Sequence, residues 1–316
     1  MNVALILLAY GVAVAVLGPL VLRRAVWLDR APRLAILCWQ SLSAAVVGAA
    51  VLAGLTVVIP VSAPGADLAQ FLNACVLMVR AAYATPGGAL VATVGLVVSV
   101  GIIGRLLYGI SLELVAAGGE RRRHVAVLEM VARRDTALGA LVLDHDIAAA
   151  YCLPGGGGRI VLTTSTLAAL DDRQLAAVLA HERAHLRGHH HLVVAVARGV
   201  KRAFPRVLLF RLAAREIGRL TELAADDVAV KAADRLTVAD ALLRLADGQV
   251  TPRSALAASG RDTGHRVRRL LVRTAPLKAA VIVPAGVLAL AAAVTPLIIA
   301  VTPAVVAAAQ DYCMII

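Results

Sequence analysis

Aromatic side chains are scarce: Phe, Trp and Tyr make up 3% of the 316 residues. Without them the chain has no row of stacking platforms for single-stranded nucleic acid. Charge is thin as well, at 16% Asp, Glu, Lys and Arg, against roughly 25% in soluble domains. Low charge with high apolar content excludes intrinsic disorder and argues against a purely soluble protein. Four cysteines are too few for a disulfide-built scaffold. The glycine run 155–158 lacks the Lys-Ser/Thr ending by which a phosphate loop reaches phosphate and metal, so nucleotide binding is not its role.

What the chain has in excess is apolar sequence: 60% of its residues, with a mean hydropathy of +0.83. A helix needs about 20 apolar residues to cross a bilayer. Four stretches meet that length, at about 3–22, 34–60, 81–104 and 279–302. The first lacks a basic stretch ahead of it and ends at Arg23 and Arg24, which reads as a retained span rather than a signal peptide. Positive charge marks the cytoplasmic side of such spans. Segment 23–33 holds Arg23, Arg24, Arg30 and Arg33 against Asp29, whereas 61–80 holds only Asp67 and Arg80. Segment 105–278 holds 27 Lys and Arg against 17 Asp and Glu, ten of the net +12.

The expected fold class is therefore mainly α: a multi-pass protein of the plasma membrane with four transmembrane helices. Residues 1–104 carry three spans, 105–278 form a cytoplasmic α+β domain inserted between the third and fourth, and 279–316 carry the fourth span and a short external tail. Both termini and the loop 61–80 are expected outside. Cys75 and Cys313 fall on that side, where a disulfide is chemically permitted. The basic excess suits anionic lipid at the inner surface rather than nucleic acid. Arg211, Arg215 and Arg219, at i, i+4 and i+8, share one helix face that is either solvated or set against lipid head groups.

Inside the insert, residues 105–135 continue the third helix inward. Strands are expected within 139–152 and at 159–164, with a hairpin across the glycines. The second strand, Ile160, Val161, Leu162 and Thr163, is a candidate to receive an extended peptide by edge pairing. Asp171, with Gln174 three residues on, forms a capping-box pattern that starts a helix.

That helix carries His181-Glu182-Arg183-Ala184-His185, an H-E-x-x-H motif. The i, i+4 spacing sets both imidazoles on one face, one turn apart, where they can share a Zn²⁺ ion. Glu182 lies about 100° round the helix, placed to take a proton from the water in an open coordination position. Such sites need one more protein ligand. Two candidates present themselves. His191 completes H-E-x-x-H-x-x-G-x-x-H with Gly188. Glu222 stands in Thr221-Glu222-Leu223-Ala224-Ala225-Asp226, and Asp226, one turn on, is placed to hold a ligand imidazole by its other nitrogen. Sites of the first kind rest on a downstream methionine turn, and no methionine lies between His191 and the fourth span. His189 and His190 read as an exposed helix end; His124, His145 and His265 read as structural.

The motif, the downstream Glu-Leu-Ala-Ala-Asp, the strand before the helix and the four spans together resemble the BlaR/MecR-type membrane zinc peptidases. The resemblance covers nearly the whole chain. It implies a gluzincin with His181, His185 and Glu222 as ligands of one Zn²⁺ per chain and Glu182 as general base. It also implies cytoplasmic cleavage of a protein substrate, such as a transcriptional repressor. The β-lactam receptors continue past the last span into an external penicillin-binding sensor, whereas this sequence ends at Ile316, so β-lactam sensing by that route is not expected. HtpX-like and CAAX-processing proteases share the same ligand logic and supply a quality-control or maturation alternative. A catalytically silent membrane scaffold is the reading of another class, and the retained Glu182 argues against it.

Overall fold

The computed structural model describes residues 3–58, 87–155, 158–247, 253–272, 275 and 277–313. The expected outer loop 61–80, residues 81–86 of the third span and Cys75 lie outside them. Among the described residues three long helices come first: α1 (Val3–Arg24), α2 (Pro32–Val58) and α3 (Gly88–Val131). A small sheet follows, of β1 (Arg133–Asp135), β2 (Ala140–Leu143), β3 (Ala150–Leu153) and β4 (Arg159–Thr163). Then come α4 (Thr164–Ala169), α5 (Asp172–Arg187), α6 (His190–Ala203), α7 (Leu208–Ala232), α8 (Arg235–Asp247), α9 (Arg253–Leu271) and α10 (Ala279–Cys313).

Helices α1, α2, α3 and the segment Ala279–Pro303 of α10 are long and apolar enough to cross a membrane. They pack through small residues, which let their backbones approach closely. Gly54 and Gly95 bring α2 and α3 so close that a Cβ on either would lie 2.6 or 2.7 Å from the other's carbonyl oxygen. Ser99 of α3 donates to the carbonyl of Val51 on α2 at 3.0 Å. Helix α3 runs on unbroken for 44 residues, well past the apolar stretch, and so ties the sheet to the apolar helices. It stops at Val131; residues 133–135, which the sequence pattern assigns to the helix, pair with β2 instead as strand β1.

The sheet order is β1-β2-β4-β3, with β2 and β4 parallel and the other pairs antiparallel. This overturns edge pairing at Ile160, Val161, Leu162 and Thr163. Strand β4 is flanked by β2 on one side and β3 on the other, so its backbone groups are already paired. All four residues are buried, and the Thr163 hydroxyl donates to the Ile147 carbonyl at 2.9 Å. Among the described residues the sheet's edges are β1 and β3.

Helix α7 supplies the largest core. Leu209, Ala213, Ile217, Leu220 and Leu223 recur at three- and four-residue intervals, all buried, in one cluster with Ala35, Cys38 and Trp39 of α2. The turn between α1 and α2 locks this arrangement at its other end. Asp29 Oδ1 lies 2.7 Å from Arg219 of α7, and Asp29 Oδ2 lies 3.1 Å from His265 of α9. Its carbonyl accepts from Arg269 at 2.7 Å.

Candidate metal centre

Helix α5 is fixed at its start by the capping box: Asp171 Oδ1 accepts from the Gln174 amide, and Gln174 Oε1 accepts from the Asp171 amide, each at 2.9 Å. Ala177, Val178 and Leu179 bury its next turn. The helix is thus anchored before it reaches His181, and its last two turns carry the motif. Helix α7 packs alongside α5 and brings Glu222 to the same place.

The structure unites His181, His185 and Glu222. The two Nε2 atoms are 3.1 Å apart, and each lies 3.5 Å from a Glu222 carboxylate oxygen. Donors at about 2.0–2.1 Å from a tetrahedral ion sit roughly 3.3–3.4 Å from one another, so this triangle has the size of three corners around one ion. The donors suit zinc: two imidazoles and one carboxylate, with a fourth position left for water. His191 is not in the group. It lines a cleft of about 440 Å³ between α3, β3 and α6, with Glu120, His124 and Tyr151, and its buried Nδ1 has no hydrogen-bond partner among the described residues.

Both histidines are held from behind. His181 Nδ1 lies 3.0 Å from Asp226 Oδ1, which is wholly buried. That contact fixes the tautomer that leaves Nε2 facing the triangle. His185 Nδ1 lies 2.9 Å from His190 Nδ1. His190 is therefore not an exposed helix end. The chain reaches it through His189 in a left-handed conformation, φ 47°. Gly188 makes the space: a Cβ there would fall 2.5 Å from His190 Nε2 and 2.7 Å from its Cδ2.

Arg266 of α9 is, like His190, a residue that the sequence reading missed. Its guanidinium meets Asp226 through two hydrogen bonds, of 2.8 and 2.6 Å, and lies 3.1 Å from Glu222 Oε2. It stands among basic residues ahead of the fourth apolar stretch, where arginines are read as topology signals, so nothing in the sequence sets it apart. Cys152 is another omission. Its thiol on β3 donates to the Glu182 carboxylate, and a lone cysteine on a strand carries no pattern that predicts this.

The electrostatics follow from burial and these partners. Burial raises the Glu182 pKa, while His181, Cys152 and Arg266 restrain the rise. Burial, then the Glu182 charge and hydrogen bond, push the Cys152 thiol up to about 12, so it stays protonated as the donor. Burial opposes ionisation of Glu222, but His181 and Arg266 outweigh it and hold the carboxyl at about 2. Asp226 is likewise held well below the carboxylate range, burial being outweighed by Arg266 and His181. Burial, reinforced by neighbouring His181 and His190, lowers His185 to about 4, which keeps the imidazole neutral as a ligand must be. Burial would lower His181 too, but its bonds to Asp226 and Glu222 carry it up to about 9.

Beside the buried Glu182, two histidines and a distal glutamate form a group that could hold a metal ion. Residues 119–212 match peptidase family M48. The M48 match takes in β1 to β4, the whole of α5 with His181, Glu182 and His185, and His190. It stops short of Glu222, Asp226 and Arg266, which the fold alone adds to the site. The match supports a metallopeptidase and does not single out the BlaR/MecR branch. No curated protein and no solved structure matches the chain.

Proposed function

We propose that the protein is a membrane-embedded, zinc-dependent endopeptidase that cleaves a protein substrate on the cytoplasmic side. The observation that carries this is the His181–His185–Glu222 triangle with Glu182 buried beside it. Bound there by His181, His185 and Glu222, zinc would supply Lewis acidity for the scissile carbonyl and would acidify the attacking water. Glu182 accepts the attacking water's proton; burial raises its pKa, which makes the carboxylate a stronger base. Glu182 then returns the proton to the leaving amine. Cys152 orients the carboxylate through its thiol without competing for the proton. Asp226 and His190 keep the two imidazoles aimed, and Arg266 offsets the charge of the two carboxylates.

The substrate strand is β3 rather than β4. The Ala149 carbonyl accepts from the Thr163 amide at 3.0 Å. By the alternation of an antiparallel ladder, Ala150 and Cys152 then turn their backbone groups to the open side. Cys152 itself meets Glu182 through its side chain, so a peptide paired along that edge passes near the base. Extended peptides recognised in this way take affinity from main-chain hydrogen bonds.

The four long apolar helices and the arginine asymmetry support insertion with 105–278 inside and both termini outside. A reporter fused after Ile316 that is active only in the cytoplasm contradicts this. The finer role, cleavage of a regulatory protein such as a repressor, rests on the BlaR/MecR resemblance. Comparative proteomics of cells carrying the wild-type protein or Glu182→Gln tests it. A regulatory role predicts one dominant fragment unique to the wild type; a spread of fragments from many membrane proteins favours quality control.

A further inference from the structure

His190 at the start of α6 and Glu222, fourteen residues into α7, both stand at the metal centre, so the turn between these helices, residues 204–207, lies away from it. Two independent contacts fix how far it reaches. On one arm, Arg105 of α3 donates to the Ala203 carbonyl at 2.5 Å. Ser99, six residues earlier on α3, sits at Val51 of the antiparallel α2. Ala203 is therefore abreast of roughly residue 45 of α2, about 20 Å beyond Pro32 at 1.5 Å per residue. On the other arm, Arg219 is abreast of Asp29, and Leu208 lies eleven residues earlier, about 16 Å deeper. Both arms place the turn alongside the middle of α2.

Helices α1 and α10 are different. Gly286 of α10 lies beside Leu34, at the start of α2. Up to that level α1 and α10 expose apolar side chains, among them Leu17, Leu20, Val287 and Leu288. The apolar surface thus extends some 16–20 Å further on the α1–α10 side than on the α6–α7 side.

The sunken turn is cationic. Lys201, Arg206, Arg211 and Arg215 are exposed, and none has an ion pair among the described residues. Arg215 and Arg211 step inward from Arg219 by about 6 Å each. Arg219 itself is spent on Asp29 and Glu216, so the three arginines are not one solvated face. Leu208 stands 48% exposed in the midst of these cations. Uncompensated cations beside a hydrocarbon layer snorkel to phosphate and thin the leaflet locally.

We propose that the α6–α7 turn is a binding site for anionic phospholipid, whose head groups are drawn inward to Lys201, Arg206, Arg211 and Arg215 while Leu208 meets the acyl chains. The inference rests on the membrane reading above. Its test is lipid photo-crosslinking on the full chain in nanodiscs of phosphatidylcholine with phosphatidylglycerol. A benzophenone side chain is placed at Leu208 and, as controls, at Leu17 and Leu290, and lipid adducts are identified by mass. All three positions should label lipid, with phosphatidylglycerol enriched at Leu208 by roughly fivefold over its bulk share, the factor expected of one basic residue at an anionic surface. Arg206→Gln with Arg211→Gln and Arg215→Gln should abolish the enrichment. Labelling at Leu17 and Leu290 but not at Leu208 overturns the proposal and leaves the membrane reading standing. Labelling at Leu208 in bulk proportion, unchanged by the triple substitution, also overturns it. No labelling at any of the three overturns the membrane reading itself.

Discussion

His190 Nδ1 lies 2.9 Å from His185 Nδ1, so a histidine outside the H-E-x-x-H motif orients one that is inside it. Removing such a partner costs a metal site roughly 10- to 100-fold in affinity. His190→Ala should weaken zinc binding by that factor, measured by chelator competition, while the folded state persists. Gly188→Ala should act in the same direction, because the added Cβ collides with the His190 ring. Unchanged zinc affinity in both variants contradicts the assignment.

Arg266 neutralises Asp226 and Glu222 from a side chain only 13% exposed. Truncating one partner of a buried ion pair strands the other at a cost of roughly 3–5 kcal/mol. Arg266→Gln should therefore lower the melting temperature markedly, and adding Asp226→Asn should recover part of the loss. A melting temperature equal to wild type in Arg266→Gln contradicts this.

The third ligand separates two motifs that share the chain. Glu222→Ala should lose zinc and cleavage, because it removes one corner of the triangle. His191→Ala should keep most of both, since His191 lines a different cleft. Metal content and cleavage measured on folded protein check the pair, and the reverse pattern contradicts the assignment.

Ala150→Pro removes one outward amide from β3 without touching Cys152. Proline is tolerated on an edge strand where its missing N–H faces away from the sheet. The variant should keep its zinc and lose about tenfold in kcat/KM, the worth of one hydrogen bond to substrate. Equal loss of zinc and turnover, or no loss of turnover, argues against pairing at β3.

The sequence made some features legible and hid others for physical reasons. The helix carrying His181 and His185 could be placed because its signals are local: Asp171 with Gln174, then the i, i+4 histidines. Glu222 and Asp226 were legible as a pair one turn apart. Strand β4 was recognised as a strand, but its place in the sheet was not. Four successive apolar or β-branched residues describe an interior strand as well as an edge one, and only the pairing with both β2 and β3 decides. Arg266 and His190 were hidden by their neighbours, one among juxtamembrane arginines and the other in a triple histidine. Their roles depend on contacts 40 residues apart, with Asp226, and across the bend at His189. The depth of the α6–α7 turn depends on packing between helices far apart in the chain, which no local pattern encodes.

The central claim is that Glu182 is the base of a zinc site built from His181, His185 and Glu222. It is tested most directly by zinc content and peptide cleavage measured together on purified Glu182→Gln. The ligands are untouched and the amide cannot take the proton, so the account predicts about one zinc per chain, as in the wild type, and cleavage reduced by roughly 10²–10⁴-fold. Near-wild-type cleavage in that variant with its zinc in place contradicts the account.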